Sequence, residues 1–459
     1  MLAIGLQTYY HFTPVALSEE AKALDAKAAL VPTVTENGYR AYGLLSPPNV
    51  EPVTYGRCLV DVQEKLSSEA RAMNKPEPNV DDKTAWDAHW KDRSARSGAL
   101  SVACLQGGTT AKMPKALESP LIRPGVTDAQ WRELTDVVVD PLVVSRFEAV
   151  WAGEAIRLGA RPESPLPSYA TFIQIERWRI ALAVQAWRAG DRVQASAAWQ
   201  RTINDWVKSA DDTLINAMLS TAAISQALIA IQQSVALSDR IDDATANALI
   251  ASLQPIETIP DAVTAALLPE WQMMSGVMRE LPKTGLNNPW APVSAINEWV
   301  GMASFDVNDS LNRLASSHRY SSDSVGKTAR GKEPDPIPAE LFSFGCTALG
   351  DFELACLPFV RNPAGRVLVA IAAPQYSNYG TRIADLRNFA AATRLTIEAR
   401  RRGVTGDALA QFVASAPADM RDVFSGNAFV YDAAAKRLRI ELRAKSTVLG
   451  DKGVVDVAL

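Results

Sequence analysis

The sequence predicts a mainly α protein: a multi-helix body built on one αα-hairpin, with a small α+β unit at its C-terminal end. Three observations carry that expectation. Residues 176–237 read as three consecutive helices, the last without a charged residue from Thr213 to Leu237. Ile383, Leu386, Phe389, Ala390, Thr393 and Ile397 lie along one face of a further long helix, closed by Gly403. Leu438, Ile440 and Leu442 alternate with charged residues, the pattern of a half-buried strand. The chain has 459 residues, 47% apolar and 21% charged, enough for a sizeable core and two or three domains.

Residues 1–125 read as a loop-rich segment with short helices. Asn37-Gly38-Tyr39 and Pro47-Pro48-Asn49 are turn signals, and Lys75 to Lys83 is a polar breaker. Trp86, His89 and Trp90 share a helical face and read as packing aromatics beside a surface histidine. Gly107-Gly108-Thr109-Thr110 lacks the lysine and the spacing of a phosphate loop, so it reads as a flexible turn.

Residues 126–315 form the expected helical body. Thr127-Asp128-Ala129-Gln130 starts a helix, with Trp131, Leu134, Val137 and Val138 at helical spacing. Asp140-Pro141 interrupts it, and Leu142 to Leu158 reads as the next helix. A Pro-rich connector leads into the central stretch. Ala244–Leu253, Asp261–Leu268 and Glu270–Leu281 follow as helices, and Asn287 to Phe305 packs onto the body. Met273, Met274 and Met278 read either as core filling or as an adaptable contact surface. Residues 316–338, rich in Ser, Lys, Asp and Pro, read as an exposed linker or mobile loop. Residues 339–459 form the C-terminal α+β unit, with a turn or helix start at Asn362-Pro363-Ala364-Gly365 and a short helix over 406–414.

Within the central stretch the order is Trp187, Gly190, Ala195, Trp199. Gly permits a tight turn, Ala a close approach of two helices, and the aromatics fill the groove between them. This spacing resembles one tetratricopeptide helix pair. No second copy occurs at a fixed period, and a repeat array needs about three units, so the pair is read as one hairpin in a larger helical domain. The uncharged run after it is long enough to cross a bilayer, which takes about 20 residues. Asn216, Ser220, Thr221, Ser225, Gln226, Gln232, Gln233 and Ser234 recur along it, however, so it is read as a buried helix.

The four cysteines fall into two local sets, Cys58 with Cys104 and Cys346 with Cys356. No CxxC and no histidine at metal-ligand spacing accompanies them. Two structural disulfides, and with them an oxidising compartment, are the expectation; reduced buried thiols are the alternative. Met1 to Leu6 is apolar and precedes Tyr9-Tyr10-His11-Phe12. The run reads either as the trailing part of a membrane anchor beginning upstream or as the start of a soluble helix.

The net charge of −4 and the short basic runs, Arg400-Arg401-Arg402 and Arg437 to Arg443, give no nucleic-acid footprint. No Gly-x-Ser-x-Gly, Rossmann or Walker pattern is present. The paired carboxylates Asp81-Asp82, Asp211-Asp212 and Asp242-Asp243 sit in loops or at helix starts, where capping and solvation account for them. No catalytic residue, cofactor or metal is assigned.

The Glu36-Asn37-Gly38-Tyr39 start, the cysteine-containing N-terminal segment, the helical middle, Asn362-Pro363-x-Gly365 and the run from Asp422 to Tyr431 together resemble uncharacterised envelope proteins of Gram-negative bacteria. The tail also has a likeness to the heads of type II secretion pseudopilins, but Val423 stands where a proline is expected. The envelope resemblance implies a periplasmic protein, anchored at or near the inner membrane, without an assigned activity. The expected function is therefore a non-enzymatic interaction or assembly module whose partner is another envelope protein. The alternative is a hydrolase of a cell-wall or surface polymer, with paired carboxylates in a helical groove.

Overall fold

In a computed structural model of the chain, residues 15–31, 34–72, 108–118, 122–153, 155–159, 167–284, 305–338, 376–444 and 453–459 are described, with isolated residues between these segments. The helices are α1 (Glu19–Ala28), α2 (Glu36–Tyr42), α3 (Pro52–Ala72), α4 (Asp128–Thr135), α5 (Pro141–Trp151), α6 (Tyr169–Arg188), α7 (Arg192–Ser209), α8 (Leu214–Ala236), α9 (Asp243–Leu253), α10 (Ile259–Ala265), α11 (Leu267–Thr284), α12 (Val307–Ala329), α13 (Ser377–Arg402) and α14 (Ala408–Ala414). Among the described residues, three strands lie near the C-terminal end: β1 (Val430–Asp432), β2 (Arg437–Glu441) and β3 (Val454–Ala458). The fold is mainly α with a small C-terminal α+β unit.

Local chemistry sets the helix ends. Thr127 opens α4 with a capping box to Gln130. Thr213 caps α8 through the Asn216 amide, and Asp242 caps α9 through the Thr245 amide. Gly403, at φ 63°, ends α13 in the left-handed region that glycine adopts without penalty.

Helix α8 is the centre of the packing, flanked by α6, α7, α13 and β3. Ile224, Leu228, Ile231 and Val235 are fully buried, and each such side chain stabilises the fold by about 1.5–3 kcal/mol. The polar residues of α8 have defined partners. Gln226 accepts from the Ile122 amide at 3.1 Å. Gln233 donates to the Val126 carbonyl and accepts from Trp131 Nε1. Gln232 donates to the Ala458 carbonyl at 2.5 Å. Ser220 donates to the Trp206 carbonyl at 2.8 Å. By length and apolarity α8 is able to cross a membrane, but 78% of its most apolar window is buried inside the fold.

The sheet is antiparallel in the order β1-β2-β3, with Val430 opposite Arg439 and Ile440 opposite Val455. Leu438, Ile440, Val455 and Val457 face inward, while Arg437, Arg439, Glu441 and Asp456 face solvent. β3 carries the same alternation as β2 over five residues, too short a run to stand out in the sequence.

Several expectations are corrected. Residues 316–329 are not a linker but the C-terminal half of α12, packed against α13 and α10. The abundant serines of this stretch are contact residues: Ser317, Ser321 and Ser324 are buried, because small side chains let two helices approach closely. The approach is tightest where a Cβ on Gly380 would collide with Thr328 Oγ1 and the Val325 carbonyl. Asn37-Gly38-Tyr39 is helical, capped by Thr35, and the Arg157 carbonyl lies where a Gly38 Cβ would be. Helix α5 ends at Trp151 rather than near Leu158. Arg157 and Leu158 leave it to bind Asp211 and Asp212 on the α7–α8 turn. The expected packing of residues 287–304, and Trp86, His89 and Trp90, lie outside the described residues.

Cys58 on α3 is disulfide-bonded to Cys104 across a sequence separation of 46. The bond sits in a small cluster with Val50, Tyr55, Leu59, Val62 and Leu105. Beside it, buried Arg146 donates to the carbonyls of Ser46 and Pro47, fixing the proline turn to α5. Cys346 and Cys356 lie outside the described residues.

Thiol titration of the unreduced, denatured protein is expected to leave Cys58 and Cys104 unreactive. Replacing Cys58 by Ser is expected to cost about 4 kcal/mol from loop-closure entropy, read by denaturant unfolding. Gly380→Ala is expected to destabilise by roughly 1–3 kcal/mol through overpacking. Gly276→Ala, on α11 with nothing near its Cβ position, is expected to stabilise by about 0.5–1 kcal/mol, as thermal unfolding of both variants reads out.

Candidate interaction site

The most developed recognition geometry lies along α12. Asn308, Asn312, Ser316 and Arg319 recur at intervals of four, four and three, so they share one face of the helix. That face holds the chain's own N-terminal segment. Asn308 Nδ2 donates to the Val15 carbonyl at 2.8 Å. Asn312 binds the backbone on two sides, accepting from the Ser18 amide at 2.7 Å and donating to the Ala16 carbonyl at 3.0 Å. The helix-capping carboxylate of Asp306 accepts from the Val15 amide at 2.9 Å and pairs with Arg361 at 3.2 Å. Four polar bonds thus read an extended backbone without reading its side chains.

Past Ser18 the segment turns into α1, with Ser18 capping the Ala21 amide. Recognition then changes to side chains. Arg319 pairs with Glu20 at 3.3 Å, Arg279 pairs with Asp25 at 2.6 Å, and Trp271 Nε1 donates to Asp25 at 3.3 Å. Leu17, Ala21, Leu24 and Ala28 form the inward face of the segment, against Trp271, Met278, Leu311, Leu314 and Ala315. These residues form a hydrophobic cluster separate from the main core. Met274 and Met278 belong to this surface.

His318 lies on the same helix, not on a mobile loop. Its Nε2 is 2.9 Å from the Leu267 carbonyl and its ring meets the edge of Trp271. Burial pushes its imidazole below the ordinary histidine value. The asparagine pair was the residue set that sequence reasoning missed: Asn308 and Asn312 at i, i+4 were its only trace.

The other residues singled out by sequence are packed into the body. Trp187 and Trp199 meet with tilted rings at 5.6 Å, Ala195 is fully buried, and Gly190 turns the hairpin at φ 90°. Trp187 Nε1 donates to Ser238 at 3.2 Å. Asp242 is a cap, but Asp212 is buried and accepts from the Leu158 amide and Asn216. Its carboxyl is pushed up to about 6 by burial, against the Leu158 hydrogen bond and Arg157.

A second acidic group lies between α5, α6 and α7. Glu176 is fully buried and accepts from Thr202 Oγ1 at 2.5 Å and Trp206 Nε1 at 3.3 Å. Arg179 lies 3.5 Å from both Glu176 and Glu148, and Arg201 pairs with Glu148. Asp205, buried nearby, is pushed up to about 7 by burial and by the Glu176 charge, against Arg179, Arg201 and Lys208. A neighbouring cavity is lined by Ala41, Trp151, Leu158, Phe172, Trp206 and other uncharged residues, with no carboxylate among them. Its free space is about 20 Å³, room for one water. Among the described residues, no group of three or more His, Cys, Asp or Glu is placed to hold a metal ion.

Two outcomes follow from this geometry. Because the folded state raises the Asp205 pKa above its ordinary value of 3.8, its contribution to stability is intact below pH 4 and lost as pH rises through about 7. Asp205→Asn is therefore expected to stabilise the protein above pH 7, by on the order of 1–4 kcal/mol, and to bring no gain near pH 4, as urea unfolding at both pH values measures. Asn312→Ala is expected to speed amide hydrogen exchange across residues 15–28 by roughly thirtyfold, for a loss of about 1 kcal/mol for each of its two hydrogen bonds, while α8 amides keep their protection. No protein-family model, curated protein or solved structure matches the chain.

Proposed function

We propose that the chain is a non-enzymatic assembly module of the cell envelope that docks a partner protein through its helical body. The observation that carries this reading is the α11–α12 groove. It combines a backbone-reading stripe, Asp306–Asn308–Asn312, with an apolar trough and two arginines, the parts a helix-in-groove binder uses. The Cys58–Cys104 disulfide fits an oxidising, periplasmic setting. The hydrolase alternative has no comparable support: Glu176 is sealed among its partners and the adjoining cavity is apolar.

In this reading the groove is shared between the chain's own segment and its partner, so changes on its two sides act in opposite directions. Asp25→Arg, which weakens the internal segment, is expected to raise capture of a stoichiometric partner from envelope extracts. Arg279→Asp, on the groove side, is expected to lower it. Absence of any stoichiometric partner, or equal capture by both variants, counts against the function.

A further inference from the structure

Resting on the reading of the α11–α12 groove as a docking site, we propose that its occupant in assembly is residues 15–28 of a second copy of this chain, exchanged between two subunits. The groove's chemistry is already matched to that sequence. Asp306, Asn308 and Asn312 bind the backbone of Val15, Ala16 and Ser18. Arg319 and Arg279 then meet Glu20 and Asp25, five residues apart on the helix. A second copy brings the same backbone register, the same two carboxylates and the same small residues, Ala21 and Ala28, so exchange needs no new contact.

The internal contact is also separable from the rest of the fold. It buries its own hydrophobic cluster, distinct from the main core, and fully buries only two alanine side chains of α1. The hydrogen bonds that secure its start run to side chains of α12 rather than into a helix or sheet ladder. Leaving the groove therefore breaks no continuous secondary structure. Reciprocal exchange produces a closed two-fold dimer in which each subunit completes the other's groove.

Charge reversal tests this with full-length chains. Asp25→Arg alone and Arg279→Asp alone each place like charges in the internal groove contact. Mixed together they are complementary only between subunits, the Asp25→Arg segment in the Arg279→Asp groove and the unaltered segment in the unaltered groove. Native mass spectrometry of the equimolar mixture is expected to show a heterodimer at least about tenfold above either homodimer. The doubly substituted chain is expected to return to wild-type behaviour. No heterodimer in the mixture, with the double variant restored, overturns the exchange. Partner capture that still responds oppositely to the two variants would then leave the docking function standing.

Wild-type protein supplies the check should either variant fold poorly. Light and heavy-isotope chains are incubated together at high concentration and cross-linked between carboxyls and amines. Hybrid light–heavy links joining residues 15–28 to α11 or α12 support exchange. Links between these segments that are purely light or purely heavy overturn it.

Discussion

The structure depends on the burial of one uncharged helix. Leu214–Ala236 has no ionic face to offer water, so it is stable only when surrounded, and its polar atoms then need partners inside the protein. Those partners come from elements far apart in sequence. Gln226 and Gln233 hold the segment from Ile122 to Trp131, Gln232 holds the end of β3, and Ser220 holds the last turn of α7. Each bond satisfies a backbone or indole group that would otherwise be buried unpaired, at a cost of about 1–3 kcal/mol. The glutamines that weaken the case for a membrane span in the sequence are the residues that give the body its arrangement.

The hairpin beside that helix follows the same rule with charges. Three carboxylates, Glu148, Glu176 and Asp205, meet two guanidiniums, Arg179 and Arg201, in a partly dry region. Glu176 is held by a hydroxyl and an indole N–H, whereas Asp205 has an arginine only at 3.8 Å. The imbalance falls on Asp205, whose neutral form burial favours. Glu176 and Asp205 are buried among packing helices, and their charged forms carry an electrostatic cost there.

Elements with strong periodicity or a clear cap were legible in the sequence. Thr127, Gly190 and Gly403 mark the ends they were read to mark, and Leu438 with Ile440 give the inward face of β2. What escaped was structure made by small residues. Ser317, Ser321 and Ser324 look like solvated loop because serine has little helix propensity and no apolar mass. In the fold they are buried where α12 meets its neighbours, and Gly380 supplies the matching gap on α13. Such a helix is specified by the shape of its neighbours, which sit about 50 residues away in sequence. The disulfide of Cys58 was legible as one of a local pair, since even counts and spacing suffice for that, while its burial beside Val50 and Tyr55 was not.

The site escaped for a related reason. Asn308 and Asn312 act on backbone atoms of Val15, Ala16 and Ser18, and a contact that ignores side-chain identity leaves no complementary signal in the partner segment. The same property bears on function. A tethered segment enjoys an effective concentration of order millimolar, so weak intrinsic affinity suffices to keep it docked. Two alanines, two half-buried leucines and two partly exposed ion pairs supply a contact of that modest kind. Without the tether, the same interaction between separate molecules requires a comparable concentration of the partner segment. A groove filled in this way is occupied by the chain's own segment. Two arginines, Arg279 and Arg319, set the charged register of that contact.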